Sequence, residues 1–297
     1  MNLIAKHAKM AVVIAVLCGA TSGSLSAMTA IPAMGIGFLR LTIALPFFLI
    51  PALASEEKRS QLKAIRRRDL GLCVLSGVFL FGHFFSWFSA VKLTNVASAA
   101  VLASLHPLVV LLVTVFIMKK KVSWKSVLAI LVALCGGAII MGFDLNTLAG
   151  GHLAGNILGF LAGMFMGLYF SVGDAARKTV NGDIYVLLVF GACWVCFAGG
   201  VMASGTPILG YTFQDYLYVV LMAFICQIGS HAVFNMCIGH VNSLYVSTIE
   251  SGDPVFSILV AVICLGQIPA LYEIVGCIIV VGALLYYNYQ ESREETV

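Results

Sequence analysis

Ten apolar runs of about 20 residues follow one another along this chain. They fall at about 10–30, 33–54, 70–91, 95–118, 124–142, 154–174, 184–204, 214–236, 242–265 and 270–289. A membrane-crossing helix needs roughly 20 consecutive apolar residues. Run length and the lack of two-residue alternation select helices over barrel strands. Composition agrees, with 61% hydrophobic and 10% charged residues, against about 45–50% and about 25% in soluble domains. Ten spans use about 210 positions and leave no room for a folded soluble domain. The expected fold class is all-α integral membrane, with ten transmembrane helices. The first run follows Lys6 and Lys9 as a signal peptide would. It is long enough to span and is read as span 1.

The net charge of +4 matters less than where the cations lie. Lys6, Lys9, Lys58, Arg59, Lys63, Arg66, Arg67, Arg68, Lys119, Lys120, Lys121, Lys125, Arg177, Lys178 and Arg293 make 15 of the 17 Lys and Arg. With ten spans all of these fall on one side, which the positive-inside rule makes cytoplasmic. Both termini are then cytoplasmic, in a multi-pass protein of the plasma (inner) membrane. Lys92 lies on the other side and Arg40 inside span 2. The basic segment 58–68 is read first as a topology signal and second as a contact for anionic lipid. The nine cysteines lie mostly in apolar runs and are read as packing residues. Cys193 and Cys196 form a C-x-x-C without further ligands near in sequence.

The halves match at a shift of about 148 residues. Cys18-Gly19-Ala20 answers Met166-Gly167-Leu168, and Gly82-His83-Phe84 answers Ser230-His231-Ala232. His106-Pro107-Leu108 answers Asp253-Pro254-Val255, and Cys135-Gly136-Gly137-Ala138 answers Val280-Val281-Gly282-Ala283. Five spans per unit is an odd number, so the second unit enters the membrane from the opposite side. The expectation is two inverted five-helix repeats, 1–148 and 149–297, the plan of many secondary transporters.

Several stretches also resemble the EamA-like, ten-helix branch of the drug/metabolite transporter superfamily. The most similar is Gly155-Asn156-Ile157-Leu158-Gly159-Phe160-Leu161-Ala162-Gly163-Met164-Phe165-Met166-Gly167-Leu168-Tyr169-Phe170, running on to Arg177. Phe38-Leu39-Arg40-Leu41, the run from Val91 through Ala97-Ser98-Ala99-Ala100 to Pro107, and Ile249 to Pro254 are similar to other family segments. Met118-Lys119 and Gly266-Gln267 stand where the family often has Gly-Glu, and Gly19 lacks the frequent preceding tryptophan. The resemblance implies a secondary transporter with a central cavity formed by spans 1, 3, 4, 6, 8 and 9.

Ionisable groups at membrane depth are expensive and should face a cavity or a partner. Asp253 and His106 sit beside the paired prolines near mid-span, where prolines kink helices. Glu250, three residues before Asp253, shares its helix face. Two close carboxylates in a low dielectric resist simultaneous ionisation, which suits a proton or a cationic substrate group. The alternative is a structural pair satisfied by hydroxyls such as Ser251 or Ser247. His83 and His231 are repeat partners, read either as packing residues or as cavity lining. Trp87 lies four residues after His83, on one face with it. Tyr169, Asn235 and Tyr245 complete the candidate substrate-binding set. Arg40 is expected to snorkel or to meet a carboxylate of protein or substrate. For Asp174 a local ion pair with Arg177 or Lys178 is the expected role.

Imidazoles, an indole, phenols and few fixed charges suit a small amphipathic metabolite. An amino acid exporter is the first reading, and a nucleobase or nucleoside carrier the alternative. An intramembrane enzyme is remote. Ala203-Ser204-Gly205 and Thr21-Ser22-Gly23 are not serine-protease nucleophile motifs, and there is no His-Glu-x-x-His. A channel is equally remote, since no filter segment is visible. The expected partners are the small-molecule substrate, membrane lipid and, as a candidate, protons. No cofactor, metal or nucleic acid is expected, and the carrier is expected to be a monomer.

Overall fold

Every element of the computed structural model is helical over the described residues, 7–117, 119, 122–142, 152–237, 249–250 and 252–294. Spans 1 to 4 are Ala8–Met28, Ala33–Ala54, Arg67–Leu93 and Val96–Ile117. Spans 5 to 7 are Trp124–Gly142, His152–Arg177 and Gly182–Ser204. Span 8 is Phe213–Ala232, continued by Val233–Cys237. Spans 9 and 10 are Asp253–Leu265 and Leu271–Glu294. Eight of these helices are long and apolar enough to cross a membrane, and those of spans 5 and 9 are shorter apolar helices. The amino-terminal side of the span-9 run, from 242 to 248, lies outside the described residues.

Local chemistry explains where the spans break. Proline lacks the N–H that continues an α-helix, and its ring clashes with the preceding turn. Span 4 accordingly stops at Ala103, turns through Ser104–His106 and restarts at Pro107. Span 9 starts with Pro254 in its first turn. Span 2 is divided at Leu45, with Pro46 opening its second part. The sequence reading did not anticipate the exposed helix Glu56–Ala64, where Ser55 caps the end by accepting the Lys58 N–H. Span 8 changes at Met222 into an eleven-residue π-helix ending at Ala232, a geometry frequent at functional sites.

Spans 1 and 8 pack together, as do spans 3 and 6, and spans 5 and 10. Span 6 lays Gly159, Gly163 and Gly167, four residues apart, against the backbone of span 4, and Gly155, one turn earlier, against Leu93 and Thr94 at the end of span 3. Small residues at this spacing let helices approach closely where lipid supplies no hydrophobic drive.

Each end of the bundle is tied by polar side chains. At the end where span 1 finishes, here called distal, Asp215 Oδ1 accepts the Ala30 N–H at 2.7 Å, and Oδ2 accepts the Thr212 hydroxyl at 2.6 Å. Thr212 and Asp215 together form a capping box on span 8. Lys92 Nζ donates to the Thr29 carbonyl at 2.6 Å. Glu273 of span 10 accepts from Asn95 Nδ2, the Ser98 hydroxyl and, at 2.7 Å, the Ala270 N–H. At the opposite, proximal end Asp69 pairs with Arg66 at 2.7 Å and faces Thr179, just beyond span 6. Asp69 and Asp215 are each the third residue of their helices, spans 3 and 8. The two halves thus use one device at opposite ends. Asp215→Ala removes both a cap and the tie to span 1. We expect a loss of about 1–3 kcal/mol, read as a lower melting temperature, whereas unchanged melting would show the tie to be idle.

Candidate functional site

Midway along the bundle the broken spans face one cavity of about 130 Å³, space for several waters or one small molecule. Six spans line it. Span 1 contributes Gly19 and Ser22, span 3 His83, Phe84 and Trp87, and span 4 Ser104 and His106. Span 6 contributes Tyr169 and Phe170, and span 8 Ser230 and His231. Glu250 and Asp253 close the ring from the start of span 9. These are the six spans that the sequence reading placed around a cavity.

The sequence candidates separate into those at the wall and those elsewhere. His83, Trp87, His106, Tyr169, His231, Glu250 and Asp253 all line the cavity. Asn235 belongs to the short helix Val233–Cys237, but its side chain is not among those described. Tyr245, Ser247 and Ser251 also lie outside the described residues. Arg40 does not reach the wall. It is 1% exposed and neither snorkels nor meets a carboxylate among the described residues. Its guanidinium lies over the rings of Phe84 and Phe88, 4.6 and 5.6 Å from their centroids. Asp174 is an exposed group 3.9 Å from Lys178, the local pair anticipated for it.

Two of the cavity histidines, His83 and His106, are oriented by backbone. His83 Nδ1 meets the Ala162 carbonyl at 2.9 Å. A carbonyl only accepts, so Nδ1 carries the proton and a neutral ring presents Nε2 as an acceptor. His106 bonds the Ala103 backbone across the span-4 turn and meets Phe170 edge-on at 5.4 Å. His231 meets Phe84 edge-on at 5.1 Å. Trp87 Nε1 donates to the Ser22 hydroxyl at 3.3 Å, which fixes its indole against span 1. The Tyr185 hydroxyl bonds Ser76 at 2.8 Å and reaches Tyr169 from behind the wall.

The two acids have a sparse polar environment. Ser257 approaches Asp253 Oδ2 at 3.5 Å and bonds the Ala20 carbonyl at 3.3 Å. The longer contact is at the limit of a hydrogen bond. No ion pair to Glu250 or Asp253 occurs among the described residues. Chemically, carboxylates placed this way are suited to a proton or a cationic group.

Sequence reasoning passed over Glu273, Asp215 and Asp69, which fix the helix ends. The signal for Asp215 was present as Thr212-x-x-Asp215, a capping-box spacing ahead of an apolar run. It also passed over Gln227, which is fully buried in the π-helix with neither amide atom bonded among the described residues.

A ring of broken and glycine-lined helices around a mid-bundle cavity is the plan of many multi-pass membrane transporters. The chain belongs to the EamA-like transporter family, whose model matches twice, over residues 8–142 and 153–289. Spans 1 to 5 fall within the first match and spans 6 to 10 largely within the second. The chain is similar to an uncharacterized transporter of Clostridium kluyveri, 22% identical over 253 residues, which cover 83% of this chain and 81% of that protein. Its fold is similar to a crystal structure described only as that of a protein, with a TM-score of 0.64 at 22% identity. That match covers 98% of this chain and 99% of the other.

Proposed function

We propose that this transporter is a secondary carrier that exports an amino acid or a closely related metabolite by alternating access. Residues 1–148 and 149–297 act as inverted halves that rock around the central cavity. The protein works as a monomer in the plasma (inner) membrane with both termini cytoplasmic, so the distal end faces outward. The cavity at the two proline breaks carries this reading, because His106, Glu250 and Asp253 meet there. Broken helices gathered at one central site are the binding architecture of secondary transporters. An acid pair complements an ammonium group, and Ser22, Ser104, Ser230 and the imidazoles offer hydrogen bonds to the rest of a small polar ligand. The aromatic walls Phe84, Trp87 and Phe170 favour one second reading, a planar nucleobase.

Counterflow in proteoliposomes tests the proposal. Purified protein is loaded in turn with neutral amino acids, aromatic amino acids and nucleobases, with and without a pH gradient. Saturable exchange of at least one amino acid is expected. Exchange confined to nucleobases overturns the substrate, and a linear conductance overturns the carrier.

A further inference from the structure

Arg40 is a fully buried cation for which the described protein supplies no acceptor. Nε, Nη1 and Nη2 all lack hydrogen-bond partners among the described residues. Its electrostatic neighbours are the thiols of Cys193 and Cys226, with His83 and His231 also within reach. A guanidinium stays charged in protein interiors, and a buried charge without a counter-ion is strongly unfavourable. The ring faces of Phe84 and Phe88 return part of that cost, but they leave the five-donor fork unused. The repeat-related position at the 148-residue shift is the uncharged Leu188.

Phe84 links this cation to the cavity. Its ring lies under Arg40 at 4.6 Å, meets His231 edge-on at 5.1 Å and also forms part of the cavity wall. Phe84 thus touches the guanidinium on one side and the cavity on the other. Glu250 and Asp253 line the same cavity from the start of span 9. Behind Phe84 the site is cationic, and at span 9 it is acidic. The planar fork of Arg40 is complementary to a two-oxygen anion.

We infer that Arg40 is the carboxylate subsite of the transport path, covered by Phe84 in this conformer and uncovered when substrate is engaged. The inference rests on the amino acid reading and deepens it. The substrate carboxylate is held at Arg40, and its ammonium is left to acceptors of the cavity wall.

Three probes of one carbon skeleton test it by ligand-induced thermal shift of the purified full chain: L-leucine, its carboxylate analogue isovalerate, and its amine analogue isopentylamine. Wild type is compared with Arg40→Leu and Arg40→Lys, and the unliganded melting temperature reports folding. L-leucine and isovalerate should bind Arg40→Leu at least tenfold more weakly, isopentylamine should be unaffected, and Arg40→Lys should recover part of the loss. Equal weakening of all three probes, or no weakening, overturns the inference. Isovalerate binding that depends on Arg40, with no response to L-leucine, keeps the subsite and removes the amino acid reading. L-leucine binding that ignores Arg40 does the reverse. A wild type that responds to neither carboxylate overturns both.

Discussion

Asp253→Asn should fold at least as well as wild type and lose transport by tenfold or more. The two halves of this expectation come from one cause. Asp253 faces the cavity beside Glu250, no described cation pairs with it, and its Ser257 contact of 3.5 Å is long. A carboxylate held in this way costs stability, since its desolvation is not repaid. Asparagine keeps the shape and removes the charge, so the melting temperature should hold or rise. The same change removes the group that binds a proton or the substrate ammonium, so flux should fall. Whatever flux remains should respond less to an imposed pH gradient, because the amide does not titrate and only Glu250 and the cavity histidines remain to do so. This opposition of stability and activity marks a group kept for function. Glu250→Gln should show a smaller form of the same pattern. An Asp253→Asn carrier with full flux and unchanged pH dependence returns the pair to a structural role. Loss of flux together with a large fall in melting temperature does the same.

What the sequence made legible follows from the solvent. Lipid requires every backbone group to be satisfied within a helix, so run length alone places most of the spans. Proline acts locally, which is why the break beside His106 and the start beside Asp253 were readable. The six lining spans were readable only through the family resemblance. The surroundings of Arg40 were not readable because they come from far along the chain, with Phe84 and Phe88 on span 3 and Cys226 on span 8. Sequence spacing gives no measure of such contacts. The Ala30–Asp215 and Asn95–Glu273 ties join residues 185 and 178 positions apart and follow no helical period. The π-helix over Met222–Ala232 is hidden for another reason, since its residues do not differ in type from those of an α-helix. The exposed helix Glu56–Ala64 was readable in principle, with Ser55 as its cap and acids in its first turn.

The largest structural effect is expected on the glycine ladder of span 6. A Cβ on Gly163 would sit 2.6 Å from the Ala103 carbonyl oxygen and 3.0 Å from that of Leu102. On Gly167 it would sit 2.6 Å from the His106 carbonyl oxygen. Flexible side-chain ends could turn away from such a contact, but these are backbone atoms. Span 4 cannot retreat freely either, because Asn95 and Ser98 at its start are bonded to Glu273. Extra methyl groups in such a contact cost about 1–3 kcal/mol and sometimes more. Gly163→Ala should therefore lower the melting temperature, and Gly163→Val should lower it further or prevent folding. Gly282→Ala on span 10 is the control. Its Cβ would meet nothing within 4 Å, so only the helix-propensity gain of up to about 1 kcal/mol applies. The strain at Gly163 should also reach the cavity, since Ala103 and His106 are both in its wall. A folded Gly163→Ala carrier should accordingly bind substrate more weakly, whereas Gly282→Ala should bind as wild type does. Equal melting and affinity in both variants would mean that spans 4 and 6 are not in backbone contact, and the placing of His106 would then need another support.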